Sequence, residues 1–249
     1  MSAIMYNLGM FGRIVIGVWY LRNNQAAKRI LILQILFTCV EALGITCLLA
    51  VGIGAAINII GIPFLANINQ DRMIYTLLIM IITRELGPLL VAFIVIARSA
   101  TAIATEIAGM VISHEIEAYI SVGVDPIEHL AVPRFLGVAI SVFLLNIFFS
   151  IFGLAGSFLI QQFFTQLPAS VYFSYLLQSL TLPDLLISII KGLVFGMIIS
   201  TVAITHGFAV GNAPTDVPVA GLKAVGTAFG LCIMVDVILS AVYYLVTLV

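Results

Sequence analysis

MIYTLLIMIITRELGPLLVAFIVIARSATAIATEIAGMVI, residues 73–112, is the stretch on which the fold turns. A helix rising ~1.5 Å per residue would carry it roughly 60 Å, about twice the ~30 Å hydrocarbon core of a bilayer. It must therefore kink at Gly87-Pro88 or project beyond the membrane, because Pro88 removes a backbone donor and crowds the preceding turn. Arg84, Glu85, Arg98 and Glu106 interrupt the run. Near mid-bilayer a charge costs at least about 2.5–3.5 kcal/mol on insertion scales, so each should face a bundle interior or a wet cavity and have a partner. At ~100° per residue, Arg84, Arg98 and Glu106 fall within about an 80° arc of a continuous helix. Lys191 and Asp236 place two more charges in later apolar runs. Spacing alone leaves two readings open: a polar lining or gating network along a pathway, and a set of buried pairs that lock helix packing.

The rest of the chain has the same solvent. Of 249 residues 63% are hydrophobic and 8% charged, against roughly 25% charged in a soluble domain; mean hydropathy is +1.25. Apolar runs of 18 or more residues read as spans. The first covers residues 30–60, broken only by Glu41 and closed by Gly61-Ile62-Pro63. The second is 73–112, and three others run from about 135 to 160, 185 to 205 and 222 to 249. QQFFTQLPASVYFSYLLQSLTLP, residues 161–183, carries no charge and has room for a short surface helix. The expected fold is an all-α membrane protein with about five transmembrane helices, in one polytopic domain over residues 1–249.

Residues 1–29 read as an interfacial amphipathic segment. Leu8, Phe11, Val15, Val18 and Trp19 share one helical stripe with Arg13 and Arg22 off it, the pattern of a helix lying in the interface plane. Arg13, Arg22, Lys28 and Arg29 interrupt this region and no short apolar core ends in a small-residue cleavage site, so it is expected to remain in the mature protein. A cytoplasmic N-terminus puts Arg13, Arg22, Lys28, Arg29, Arg134 and Lys223 inside and only Arg72 outside, as the positive-inside rule prefers. Residues 113–134 then lie in the cytoplasm.

That segment, SHEIEAYISVGVDPIEHLAVPR, spends four of the chain's 11 acidic residues. Ser113 can cap a first short helix whose opening turn holds Glu115 and Glu117, where carboxylates favour the positive end of the dipole. Ile116, Tyr119 and Ile120 share one face, and Gly123 ends the helix. Asp125, Pro126 and Glu128 supply a second start as cap, first helical residue and capping-box partner. Two compact helices joined by a glycine make a rigid knob with an acidic rim, suited to docking a partner; a solvated loop with ordinary caps is the plainer alternative.

Much chemistry is excluded. No GxxxxGK[ST] occurs, so the chain does not hydrolyse nucleoside triphosphates through a P-loop. No GxSxG occurs, and HEIEA has Ala118 where a zinc-protease HExxH needs its second histidine; no metal site or cofactor is expected. Cys39, Cys47 and Cys232 lie in apolar runs without CxxC spacing and read as small hydrophobes. No basic patch exists to meet nucleic acid. Gly192–Gly196 and Gly226–Gly230 have the small-residue spacing that allows close helix packing.

RELGPLLVAFIVIARSATAIATEIAGM followed by EIEAYISVGVDPIEHLAVPR resembles the MlaE family, the permease subunits of bacterial lipid-trafficking ABC transporters. The resemblance extends more weakly to KGLVFG from Lys191 and to the position of Asp236. It implies a homodimeric membrane core in the bacterial inner membrane, a lipid-holding cavity between the copies, separate cytoplasmic ATPase subunits docking on residues 113–134, an MCE-domain partner on the far side, and phospholipid as substrate. Arg84, Glu85 and Lys191 match the family's intramembrane charges, and Glu115, Asp125 and Pro126 its cytoplasmic segment. His114 and Ile116 stand where Thr and Gln are usual, Glu41 occupies a position expected to be uncharged, and GNAPTDVPVAGLKAVGTAFG keeps only part of the family pattern. The rival reading is a secondary transporter in which Arg84, Glu85 and Lys191 titrate or bind coupling ions.

Overall fold

The computed structural model describes residues 2–18, 25–66, 73–165, 168–211 and 213–247, and among these every regular element is helical. In chain order they are α1 (Ser2–Gly17), α2 (Ala27–Leu65), α3 (Met73–Ile112), α4 (Glu115–Ser121), α5 (Ile127–Phe163), α6 (Ala169–Ser179), α7 (Leu182–Phe208) and α8 (Asp216–Thr247). Five of them, α2, α3, α5, α7 and α8, are long and apolar enough to cross a membrane. The bundle wraps α3, the most buried of the five, with α2, α5, α7 and α8 against it; α8 is the least buried.

The expected break at Gly87-Pro88 takes a different form. The helix runs on through Pro88, and the adjustment is made one turn earlier by a wide, π-helical turn over Ile79–Glu85. There the amide of Leu86 donates to the carbonyl of Ile81, five residues back. The carbonyl oxygen of Ile82 consequently sits where a Cβ on residue 87 would stand, so only glycine fits before the proline. Further π-helical turns cover Leu36–Val40, Ile96–Ala100 and Ile127–Ala131. Such turns are rare and concentrate at functional sites; here each carries or adjoins a charged residue. The closure of the first span at Gly61-Ile62-Pro63 also fails, since α2 contains Pro63, close enough to its end that one lost backbone bond leaves little helix to break.

Small residues set the helix spacing, as expected in hydrocarbon, where close van der Waals packing replaces the hydrophobic drive. The backbones of Gly54 and Gly153 meet where α2 crosses α5, and Gly156 lies against Val51. Gly196 packs on Ala139, and Asn146 of α5 donates to the Ser188 carbonyl and hydroxyl of α7 at 3.0 and 2.9 Å. The Gly226–Gly230 spacing does no such work within the chain: nothing lies within 4 Å of a Cβ on either. Cys39 and Cys232 are buried free thiols and Cys47 is half-buried.

At one end of the bundle α1 packs against the ends of α5 and α7. Its inward residues are Met10, Ile14 and Gly17, with Phe11 edge-on to Phe135 at 5.8 Å. The expected stripe is thus rotated: Val15 faces outward, because Gly17 lets the helix approach Val132 and Glu128 on its other side. The Leu8 side chain, Trp19, Arg22 and Arg72 lie outside the described residues. At the opposite end α6 buries Tyr172, whose hydroxyl meets that of Ser157 and donates to the Leu154 carbonyl at 3.1 Å. Burial pushes this phenol up to about 12.

Candidate functional site

The wide turn before Pro88 delivers Arg84 and Glu85 into a polar cluster built by three helices. Lys191 of α7, fully buried, places Nζ 2.7 Å from Glu85 Oε2 and donates to Ser240 Oγ at 2.8 Å. Asp236 Oδ1 lies 2.8 Å from the same nitrogen, close enough to pair charges but outside hydrogen-bonding geometry. Ser240 in turn donates to Glu85 Oε2 at 2.9 Å. Arg84 donates from Nε to Glu85 Oε1 at 3.2 Å, from Nη1 to Asp184 Oδ1 at 3.4 Å and from Nη2 to the Tyr244 hydroxyl at 2.6 Å. The rings of Tyr243 and Tyr244 each stand 4.9 Å from its guanidinium carbon, within cation–π range. Tyr243 donates to Asp184 Oδ1 at 2.7 Å.

Two cations therefore face three carboxylates, Glu85, Asp184 and Asp236. Pairing is what makes these charges tolerable, since an uncompensated ion in the interior costs several kcal/mol even after relaxation. The cluster sits where α7 begins and α8 ends, at the end of the bundle opposite residues 113–134. A network of this kind can hold a charged headgroup at its edge or exchange partners when helices move.

The expected common arc of Arg84, Arg98 and Glu106 is not one site. Two π-helical turns shift the register along α3, and the three charges take separate partners. Arg98 donates to the Glu41 carbonyl at 2.5 Å and to Glu41 Oε2 at 2.7 Å. Glu106 Oε1 accepts from Arg134 Nη2 at 2.7 Å, and Arg134 is buried.

Residues 113–134 form the other candidate. Ser113 is not the cap: its amide still donates to Gly109 as part of the last turn of α3, and His114 takes the N-cap position with φ 60°. Ser113 Oγ instead donates to Glu115 Oε1 at 3.0 Å. The end of α4 is a Schellman motif, with Gly123 at φ 78° and its amide and that of Val124 donating to Ile120 and Tyr119 at 3.0 Å each. Asp125 Oδ1 accepts from the Ile127 amide at 2.8 Å, as expected of a cap. The reciprocal capping-box bond from Glu128 does not form among the described residues, because the wide turn from Ile127 shifts its register; its stem lies beside Gly17.

Glu115, Glu117 and Asp125 are exposed, Tyr119 and Glu128 half-buried, and Pro126 buried. Arg13 reaches Asp125 at 3.6 Å, and Tyr119 stacks 5.5 Å from His129. No residue of α4 is buried, and Ile120 and Val122 are 61% and 73% exposed, so the open apolar surface is Ile120 with Val122 rather than the whole Ile116–Tyr119–Ile120 face.

A sequence profile of the family described as Permease MlaE matches residues 31–242, taking in residues 113–134 and every charged residue of the Arg84–Lys191 cluster. The chain belongs to the MlaE permease family. It is 28% identical to a probable ABC transporter permease protein of Rickettsia typhi over 195 residues, covering 78% of this chain and 72% of the relative. A probable ABC transporter permease protein of Rickettsia prowazekii is 27% identical, covering 86% and 83%. The intermembrane phospholipid transport system permease protein MlaE of Haemophilus influenzae is 24% identical, covering 82% and 79%.

In this MlaE-family chain, sequence reasoning reached Arg84, Glu85, Lys191 and Asp236 but missed Asp184, Ser240, Tyr243 and Tyr244. Asp184 carried a usable signal. Thr181-Leu182-Pro183-Asp184 is a capping box with proline in the first turn, and Thr181 Oγ1 bonds Asp184 Oδ2 at 2.6 Å. The hydroxyls of α8 carried none, because nothing local separates them from other polar atoms in a span.

Proposed function

We propose that the chain is the permease subunit of an ATP-driven phospholipid transporter of the bacterial inner membrane. The profile match over residues 31–242 carries this reading, together with relatives named as ABC transporter permeases and one named for intermembrane phospholipid transport. Two copies form the membrane core around a lipid-holding cavity, with the N-terminus cytoplasmic and an MCE-domain partner on the far side. Separate ATPase subunits dock on the segment carrying Glu115, Glu117, Tyr119, Asp125, Pro126 and Glu128, the last of which also lies beside Gly17 of α1. The exposure of Ile120 and Val122 beside three open carboxylates supports a docking surface. Closure of the ATPases pushes on α4, and α3 relays the motion past Glu106 and Arg98 to Arg84, Glu85 and Lys191. Few charges suit this substrate, because acyl chains need apolar walls and only the headgroup needs polar ones.

Purification from the native membrane in mild detergent, with mass spectrometry of co-purifying proteins and lipids, tests the reading. A near-stoichiometric ATPase subunit and phospholipid are expected. A lone, stably folded chain that transports without ATP and with a proton or sodium dependence would instead establish the secondary transporter.

A further inference from the structure

Between α2 and α3, beside the wide turns Leu36–Val40 and Ile96–Ala100, an open crevice of about 210 Å³ is lined by Gln34, Thr38, Glu41, Arg98, Ser99 and Glu106. That volume is below the ~300–1,000 Å³ of whole small-molecule sites and suits a lipid headgroup rather than a whole lipid. Polar walls here call for a reason. The side chains of Arg98 and Glu41 are 36% and 45% exposed, although both lie within membrane-crossing helices. An ion pair left open to hydrocarbon is costly, and intramembrane charges normally face a protein interior or polar matter.

Depth narrows the choice. Gly207, next to the last residue of α7, packs on Ala104 and Ile107, so this level marks the end of the bundle on the side of residues 113–134. Arg98 stands about 9–14 Å further in along α3, six to nine residues at ~1.5 Å per residue. The interfacial layer on each side of a bilayer is roughly 5–8 Å thick, the difference between a ~40–45 Å membrane and its ~30 Å core, halved. The crevice thus opens just below the level where headgroups meet acyl chains in that leaflet, where a headgroup needs polar partners from the protein.

Its charges select among headgroups. Arg98 uses Nη1 and Nη2 on Glu41, which leaves further N–H groups of its five for a phosphate. Glu106 has Oε1 on Arg134 and a side chain 53% exposed. Two carboxylates therefore face one accessible guanidinium. We propose that this crevice binds the phosphate–ammonium headgroup of a zwitterionic phospholipid entering sideways from the leaflet on the side of residues 113–134, with the phosphate on Arg98 and the ammonium between Glu41 and Glu106. An anionic headgroup lacking the amine would meet the carboxylates uncompensated. The proposal rests on the reading as a lipid transporter and adds a headgroup preference and an entry point separate from the Arg84–Lys191 cluster.

Native mass spectrometry of the delipidated full chain, titrated with phosphatidylethanolamine or phosphatidylglycerol of identical acyl chains, tests it. The wild type should take up phosphatidylethanolamine at lower concentration, and Glu41→Gln should weaken that uptake roughly fivefold, the order of one partly exposed ion pair, and abolish the preference. Equal uptake of the two lipids by the wild type, or a preference unchanged in Glu41→Gln, overturns the proposal. A measurement independent of that variant labels Ala102→Cys, in the crevice wall, with a fluorophore. A zwitterionic lipid carrying the nitroxide on a quaternary ammonium headgroup, which keeps the positive charge, should quench it more than lipid labelled at the acyl end, and the reverse order overturns the site. Displacement by soluble phosphoethanolamine at the same concentration as the lipid would assign the crevice to a free phosphate compound. Uptake without headgroup preference leaves the transporter reading standing, whereas co-purification of the ATPase tests that reading separately.

Discussion

Lys191 Nζ and Glu85 Oε2 stand 2.7 Å apart although 106 positions separate them, and the lysine side chain is wholly enclosed. The pair joins α7 to the wide turn of α3, and through Ser240 and Asp236 it also holds α8.

Removing the cation strands Asp236 and leaves Glu85 with Arg84 and Ser240 alone. Lys191→Met should cost about 3–5 kcal/mol, the range for breaking one side of a buried pair, read as a lower melting midpoint of the detergent-purified protein. Lys191→Met combined with Glu85→Gln should recover part of that loss. A single variant that melts like the wild type would show that the cluster does not hold the bundle together.

Gly87 is confined by the Ile82 carbonyl and by the Phe149 ring 3.2 Å from a Cβ position. Gly87→Ala should destabilise by about 1–3 kcal/mol, as overpacking does. Gly226→Ala, where nothing approaches within 4 Å, should be neutral or gain up to about 1 kcal/mol of helix propensity. Parallel melting curves of the two variants check the contrast.

The Schellman turn fixes the angle between α4 and the start of α5. With Gly123 at φ 78°, Gly123→Ala should cost about 1–2 kcal/mol, the left-handed penalty of an L-residue, while Gly123→Asn, a residue tolerated at this position, should cost less. ATPase activity of the assembled complex, normalised to membrane insertion, should fall in the same order.

Reversing the rim tests docking directly. Glu115→Lys together with Asp125→Lys alters two exposed side chains and should leave insertion and melting unchanged. In reconstituted vesicles it should uncouple ATP hydrolysis from phospholipid movement. Unimpaired coupling would remove residues 113–134 from the contact.

By itself the sequence determined the solvent, the number of spans and the rough place of each charge, because hydrocarbon tolerates only backbones satisfied internally, long apolar runs meet that demand as helices, and their length counts crossings. It also determined the Gly123 turn and the Asp125 cap, since both depend on backbone groups a few residues away. Which charges meet was decided only by tertiary structure. The arc of Arg84, Arg98 and Glu106 assumed one helical period, and two π-helical turns changed it, sending the three side chains to Glu85 and Asp184, to Glu41, and to Arg134. The inward face of α1 likewise depended on Gly17 meeting Val132. A local pattern encodes the period of one helix. Pairing energy across a low-dielectric interior depends on distances between helices, and those exist only once small residues such as Gly153 and Gly196 have set the spacing.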